Sequence, residues 1–146
     1  MAEKSLATQV IDAMYNNDPF SIWMGIERVE ESAGRCVLKM TVKKDMLNGF
    51  GIIHGGVTFS LADSALAFAA NSHGIQSVSI DNSINYFEPA KEGDILTATS
   101  EEVRLTHKTA LYHITVTNQN NAQIALFKGL VYRTGKPWFN DSESKP

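Results

Sequence analysis

The sequence predicts an α+β fold, one curved antiparallel sheet wrapped around one long central helix, and three observations carry this reading. A single run, from Gly55 to about Ser72, has helical spacing and is apolar over nearly its whole circumference. Four strand-like stretches follow it in succession, joined by short, turn-rich breaks. The chain has 146 residues, the size of one domain with one core. A helix that is apolar all round has to be enclosed, and a sheet curved over it encloses it with few assumptions. One domain is expected to span residues 1–146.

The elements follow in order. Residues 5–16 carry Leu6, Val10, Ala13 and Met14 at helical spacing and predict an amphipathic opening helix. Asp18-Pro19 should end it, because the residue before a proline is pushed out of the α region. Residues 26–31 and 35–43 read as strands, the second alternating Cys36, Leu38, Met40 and Val42. The central helix then closes at Gly74. Strands are predicted at 77–87, 93–105, 109–118 and 122–133, separated by AKEGD, LTHK and NQNN. Such short links favour antiparallel neighbours, since a parallel return needs a crossover of about a dozen residues. Within 77–87, alternation puts Ser77, Ser79, Asp81, Ser83 and Asn85 on one face, and Val78, Ile80, Ile84 and Tyr86 on the other. The tail, about 135–146, is expected to be loose.

Composition narrows the function. A formal charge of −3 argues against a dedicated nucleic-acid binder. The single cysteine, Cys36, cannot form an intrachain disulfide and fits a reducing cytoplasm. The opening MAEKSLATQV lacks a hydrophobic leader, and no apolar run is long enough to span a bilayer, so a cytoplasmic protein with no membrane partner is expected. His54, His73, His107 and His113 lack metal-ligand spacing, and no metal is expected. Gly49-Phe50-Gly51 opens like a dinucleotide fingerprint, but His54 stands at the third glycine position and no βαβ unit surrounds it. The HGG triplet has no G-x-S-x-G partner elsewhere.

The central helix carries one anomaly. Ser60, Asp63, Ser64, Ala67 and Asn71 form a narrow polar stripe on a helix otherwise built for a core, with a carboxylate in it. Ahead of the stripe, Gly55-Gly56 sits where the helix must start. First-turn amides have no partner within a helix, the macrodipole adds partial positive charge there, and glycines leave a ligand oxygen room to approach. That is the chemistry of an oxyanion site. Gly55 and Asp63 are eight residues apart, roughly 12 Å along one helix. Groups acting on one carbonyl must lie about 3 Å from it. One helix cannot bring both to the same bond; an antiparallel two-fold partner can, which predicts a homodimer with two shared sites.

The pattern N-G-x-x-x-x-H-G-G followed by x-x-F-S-L-A-D, from Asn48 to Asp63, resembles the hotdog-fold acyl-CoA thioesterases, and within them the PaaI-type enzymes of phenylacetate degradation in the 4-hydroxybenzoyl-CoA thioesterase superfamily. The likeness continues through NSHG, INYFEPAKEGDILTATS and ALFKGLVYR. It implies a hotdog fold, dimers often assembled into tetramers, and hydrolysis of an (aryl)acyl-CoA to free acid and CoA without a cofactor beyond the CoA of the substrate. It implies that Asp63 is the catalytic carboxylate, as general base or nucleophile, and that Gly55 offers its amide to the thioester oxygen, aided by Gly56. Asn48 and His54 would place or polarise that group, and a hydroxyl on the next strand, Ser79 by alignment, would help to hold the water.

Basic side chains should meet the CoA phosphates, and Lys108 in the LTHK turn is the candidate, beside Arg104, His107 and Lys91. Phe50, Phe59, Phe68 or Tyr86 are candidates for an acyl pocket. Two further readings stay open: a hotdog hydratase or dehydratase using His54 as proton carrier, and a non-catalytic acyl-CoA-binding protein.

Overall fold

The computed structural model describes residues 2–140. Its six strands, β1 (Glu27–Ser32), β2 (Arg35–Thr41), β3 (Ile75–Tyr86), β4 (Ile95–Leu105), β5 (Thr109–Thr117) and β6 (Gln123–Pro137), form one sheet in the order β1-β2-β4-β5-β6-β3. Every pairing is antiparallel. Helix α3 (Gly55–Asn71) lies in the concave face of this sheet. Leu61, Leu66 and Phe68 on the helix are fully buried, against Leu38, Leu96, Tyr112, Ile114 and Phe127 from the strands. Each such side chain contributes roughly 1.5–3 kcal/mol by leaving water.

The opening helix α1 (Leu6–Asn16) is capped by Ser5, whose hydroxyl accepts from Thr8 N–H. Its buried side is Ala7, Val10 and Ile11. Leu6 is half exposed, but rests against Gly74, which has a positive φ of 92° and no Cβ to strike it. Asp18-Pro19 does more than end α1. It starts a second helix, α2 (Pro19–Trp23), with Asp18 as cap accepting from Ser21 N–H and proline at the first position. The sequence reading missed α2 because five residues cannot display a helical period.

Two further expectations are corrected. The AKEGD link joins strands that are not neighbours: β3 pairs with β6 at one edge, while β4 pairs with β2 and β5 in the interior. The link instead passes under the start of α3, where the Ala90 carbonyl accepts from Ile53 N–H at 2.8 Å. The second concerns the stretch from residue 135, expected to be loose: regular structure continues past it. Strand β6 runs to Pro137, Trp138 N–H donates to the Gly74 carbonyl, and the Trp138 indole donates to Asn71 Oδ1 at 2.9 Å. Residues 141–146 lie outside the described residues.

Candidate active site

The approach to α3 is built by a short turn. Asn48 Oδ1 accepts from Phe50 and Ile52 N–H, and Gly51 takes a φ of 77° that favours glycine. Asn48 has thus committed its oxygen to the turn, while its NH2 has no partner among the described residues. The turn delivers His54 as the N-cap of α3. His54 Nδ1 accepts from Gly56 N–H at 3.0 Å, so the neutral ring carries its proton on Nε2.

This cap sorts the first-turn amides. Val57 N–H goes to the His54 carbonyl and Gly56 N–H to the His54 ring. The Gly56 amide, expected to aid the oxyanion, is therefore already taken. Gly55 N–H has no acceptor among the described residues. Tyr86, at the end of β3, donates its hydroxyl to the Gly55 carbonyl at 2.8 Å. A side chain at position 55 would start 3.0 Å from that hydroxyl, so only glycine leaves this approach open. Asn48, Gly55, Tyr86 and Phe87 line a cleft of about 370 Å³. His54 and Gly56 line a separate one, of about 260 Å³, with Phe20, Trp23, Met46 and Val57.

Asp63 opens into a third cleft, of about 500 Å³, with Ser60, Ser64, Ala67, Asp18 and Trp138. It is half-buried, and burial pushes its carboxyl above the ordinary aspartate range. Among the described residues its one side-chain partner is Asn82 on β3, whose Nδ2 donates to Asp63 Oδ1 at 3.3 Å and to Ser79 Oγ at 3.2 Å. The rest of the polar stripe serves structure: Ser60 Oγ donates to the Gly56 carbonyl, Ser64 meets Ser21, and buried Asn71 binds Ser77, Ala67 and Trp138.

Strand β3 departs from simple alternation. Ser79 stands opposite Val131 and Asp81 opposite Leu130, so Ile80 is an extra residue, a β-bulge. The phase reverses there. Ser77 and Ser79 face α3, but beyond the bulge Asn82, Ile84 and Tyr86 do, and Asp81, Ser83 and Asn85 turn outward. Of the five polar residues that simple alternation puts on one face, Ser79 is thus the one joined to Asp63, through Asn82.

Asn48, Gly55 and Tyr86 are brought together; His54 adjoins them; Asp63, Asn82 and Ser79 form a second group a little over two turns of α3 away. Lys108 joins neither. Its turn is at the opposite end of the sheet, where its carbonyl accepts from Arg133 N–H. Phe68 belongs to the core and its edge lines the Asp63 cleft, Phe59 is partly buried and packs edge-on against Phe127 at 5.1 Å, and Phe50 is exposed. No group of three or more metal-ligating side chains occurs among the described residues, and no described helix is long and apolar enough to cross a membrane. Asn82 and Tyr86 are the site residues that sequence reasoning undervalued. The available signal was an asparagine on the apolar phase of an edge strand.

A family model described as thioesterase superfamily matches residues 50–125. The chain is 43% identical over 136 residues to a putative esterase of Archaeoglobus fulgidus, covering 92% of this chain and 88% of that protein. It is 40% identical over 129 residues to the acyl-coenzyme A thioesterase PaaI of Escherichia coli, covering 88% and 92%. The structure of the E. coli PaaI protein, from the phenylacetic acid degradation operon, matches with a TM-score of 0.89 at 39% identity over 90% of this chain and 96% of that one. A hypothetical thioesterase of Streptococcus pneumoniae, solved with coenzyme A, matches with a TM-score of 0.74 at 28% identity, covering 77% and 90%. Two variants of that pneumococcal protein replace an aspartate and a threonine, sixteen residues apart, with alanine. The helix-in-sheet arrangement is the hotdog fold.

Proposed function

The chain belongs to the thioesterase superfamily and is a thioester hydrolase, and from that premise we propose that it hydrolyses acyl-CoA thioesters, aryl-acyl groups included, at sites shared by two protomers. Gly55 N–H of one protomer receives the thioester oxygen, and Asp63 of the other supplies the carboxylate. In the general-base route Asp63 takes a proton from water as the water oxygen bonds to the carbonyl carbon. The charge that builds on the carbonyl oxygen meets the Gly55 N–H and the Asn48 NH2. Collapse then breaks the C–S bond, the CoA thiolate leaves, and Asp63 returns the proton. In the nucleophilic route a carboxylate oxygen attacks the carbon directly, and water cleaves the resulting anhydride. In a single turnover in ¹⁸O-water, label in the Asp63 carboxylate establishes the second route, because it enters there only when water attacks the aspartyl carbonyl of that anhydride.

The observation that carries the reading is one helix holding an unclaimed backbone donor at its start and a half-buried carboxylate eight residues on, too far apart to act alone. Strand β3 supports the pairing: it is a free sheet edge, with Val78 at 56% and Ile80 at 57% exposure in the protomer. An antiparallel β3 partner sets the two α3 helices side by side in opposite directions. It also carries the Gly55 end of one copy past the Lys108 end of the other, which fits a phosphate contact at Lys108. Association of two dimers into a tetramer and a cytoplasmic location complete the proposal. Asp63 and Ser79 are sixteen residues apart, the separation of the aspartate and threonine altered in the pneumococcal relative, which supports Ser79 as the hydroxyl beside the water.

The test is thiol release from a panel of acyl-CoAs by wild type, Asp63→Asn and Gly55→Pro. Proline at the first helical position removes the N–H while keeping a helical φ, and its Cβ, starting 3.0 Å from the Tyr86 hydroxyl, also closes the approach. Both variants should be inactive alone, and mixing them should restore activity in heterodimers. Absence of restoration after demonstrated subunit exchange overturns the shared site; undiminished turnover by Asp63→Asn overturns the role of Asp63.

A further inference from the structure

Three features of the molecule look costly when taken singly. Strand β3 carries a bulge at Ile80. Gly129 occupies the interior of β6, where glycine weakens a strand. The Asn82 Oδ1 atom is buried with no hydrogen-bond donor, although buried acceptors are nearly always satisfied.

All three meet at the Asn82 amide. Without the extra residue at Ile80, position 82 would face outward with the opposite phase of the strand. Asn82 stands directly opposite Gly129, and a Cβ there would come within 2.9 Å of Asn82 Oδ1 and 2.5 Å of Leu66 Cδ2. The glycine is therefore the seat for the amide. The orphaned oxygen is the counterpart of where the nitrogen points: Nδ2 donates to both Asp63 Oδ1 and Ser79 Oγ. Turning the amide over would set its oxygen against an ionised carboxylate, so the observed orientation is the one an ionised Asp63 selects.

We propose that Asn82 is a positioning residue of the thioesterase site: its NH2 group holds the ionised Asp63 carboxylate in its working orientation and leaves the Ser79 hydroxyl proton free to meet the attacking water. The inference rests on the role given to Asp63 above. Asn82 stabilises the charged form of Asp63 against the burial that disfavours it. Few other charges bear on this balance. From the α1–α2 side Asp18 is the only other ionisable side chain in the cleft among the described residues, and it already accepts from Ser21 N–H and Oγ. From α3 itself Ser60 and Ser64 are uncharged, and on β3 Asp81 faces away.

The experiment measures kcat/KM for acyl-CoA hydrolysis against pH in wild type, Asn82→Leu, Asn82→Asp and Asp63→Asn, with circular dichroism as the check on folding. Removing the donor in Asn82→Leu should move the acid limb of the profile upward by about one pH unit, with KM changed less than twofold. Asn82→Asp sets a like charge beside Asp63 and should move the limb further up. If the leucine variant does not fold, the aspartate variant decides. An unmoved acid limb in folded variants, with Asp63→Asn inactive, overturns this inference alone. Full activity in Asp63→Asn overturns the reading of Asp63, and this inference with it.

Discussion

Tyr86 donates its hydroxyl to the Gly55 carbonyl across 2.8 Å, bracing the first peptide of the central helix from the edge strand. The same peptide is held at its other end, where Gly56 N–H meets His54 Nδ1. A peptide plane fixed at both ends cannot tilt, and the neighbouring Gly55 N–H is aimed before any substrate arrives. Pre-aimed donors are what oxyanion stabilisation requires.

Removing that brace should slow turnover without unfolding the protein. Tyr86→Phe keeps the ring against Gly55 and deletes one hydrogen bond, worth about 0.5–1.5 kcal/mol. Thiol-release kinetics should show kcat reduced roughly threefold to tenfold, with KM close to wild type. A KM effect alone would place Tyr86 against the substrate and not behind the amide.

The cap should be visible as stability. His54→Ala frees the Gly56 N–H and should cost about 1 kcal/mol, a fall of about 3 °C in Tm. His54→Asn presents an oxygen at the same position and should recover most of that loss. Calorimetry of the two variants checks this, and equal losses in both would mean that the ring acts by packing.

Asp63 should show a pH-dependent conflict between activity and stability. Burial raises its folded pKa above the unfolded value, so its ionisation costs folding free energy. That cost is absent below the unfolded pKa, grows as pH rises through the folded pKa, and is complete above it. Asp63→Asn should therefore be more stable than wild type at pH 7, and the gain should vanish below the ordinary aspartate range. Thermal melts across pH test the sign. The acid limb of wild-type activity should correspondingly lie above the usual aspartate value.

Gly129→Ala should be far more damaging than an interior strand substitution to alanine normally is. The added Cβ meets Leu66 Cδ2 at 2.5 Å, on the central helix. Overpacking of this kind costs about 1–3 kcal/mol. Because Asn82 Oδ1 is the next atom in the way, activity should fall further than the stability loss explains, which denaturant titration and thiol release together measure.

Much of the architecture was legible because it rests on period and punctuation. The central helix announced itself by being apolar nearly all round, and its start by His54-Gly55-Gly56; the observed helix begins at Gly55. The proposal of a second copy rests on helix rise together with the roles given to Gly55 and Asp63. What was illegible is local and three-dimensional. A bulge leaves no mark in composition, so Asp81, Ser83 and Asn85 were assigned to the face with Ser77 and Ser79, which they do not share. Sheet order is set by which edge remains unpaired, not by link length, so β3 and β4 look adjacent in sequence and are not. Helix α2 is too short to show a period.

The bulge at Ile80 also governs how this strand tolerates change. Odd numbers look inward before it and even numbers after it, so the strand behaves like two combs joined with a half-tooth offset. Deleting Ile80 would turn one comb over: the segment carrying Asn82, Ile84 and Tyr86 would present Asp81, Ser83 and Asn85 to the helix in their place. A change of one residue in length there would exchange everything this strand offers the site beyond position 80, while substitutions at Ile80 that keep the count would leave it standing.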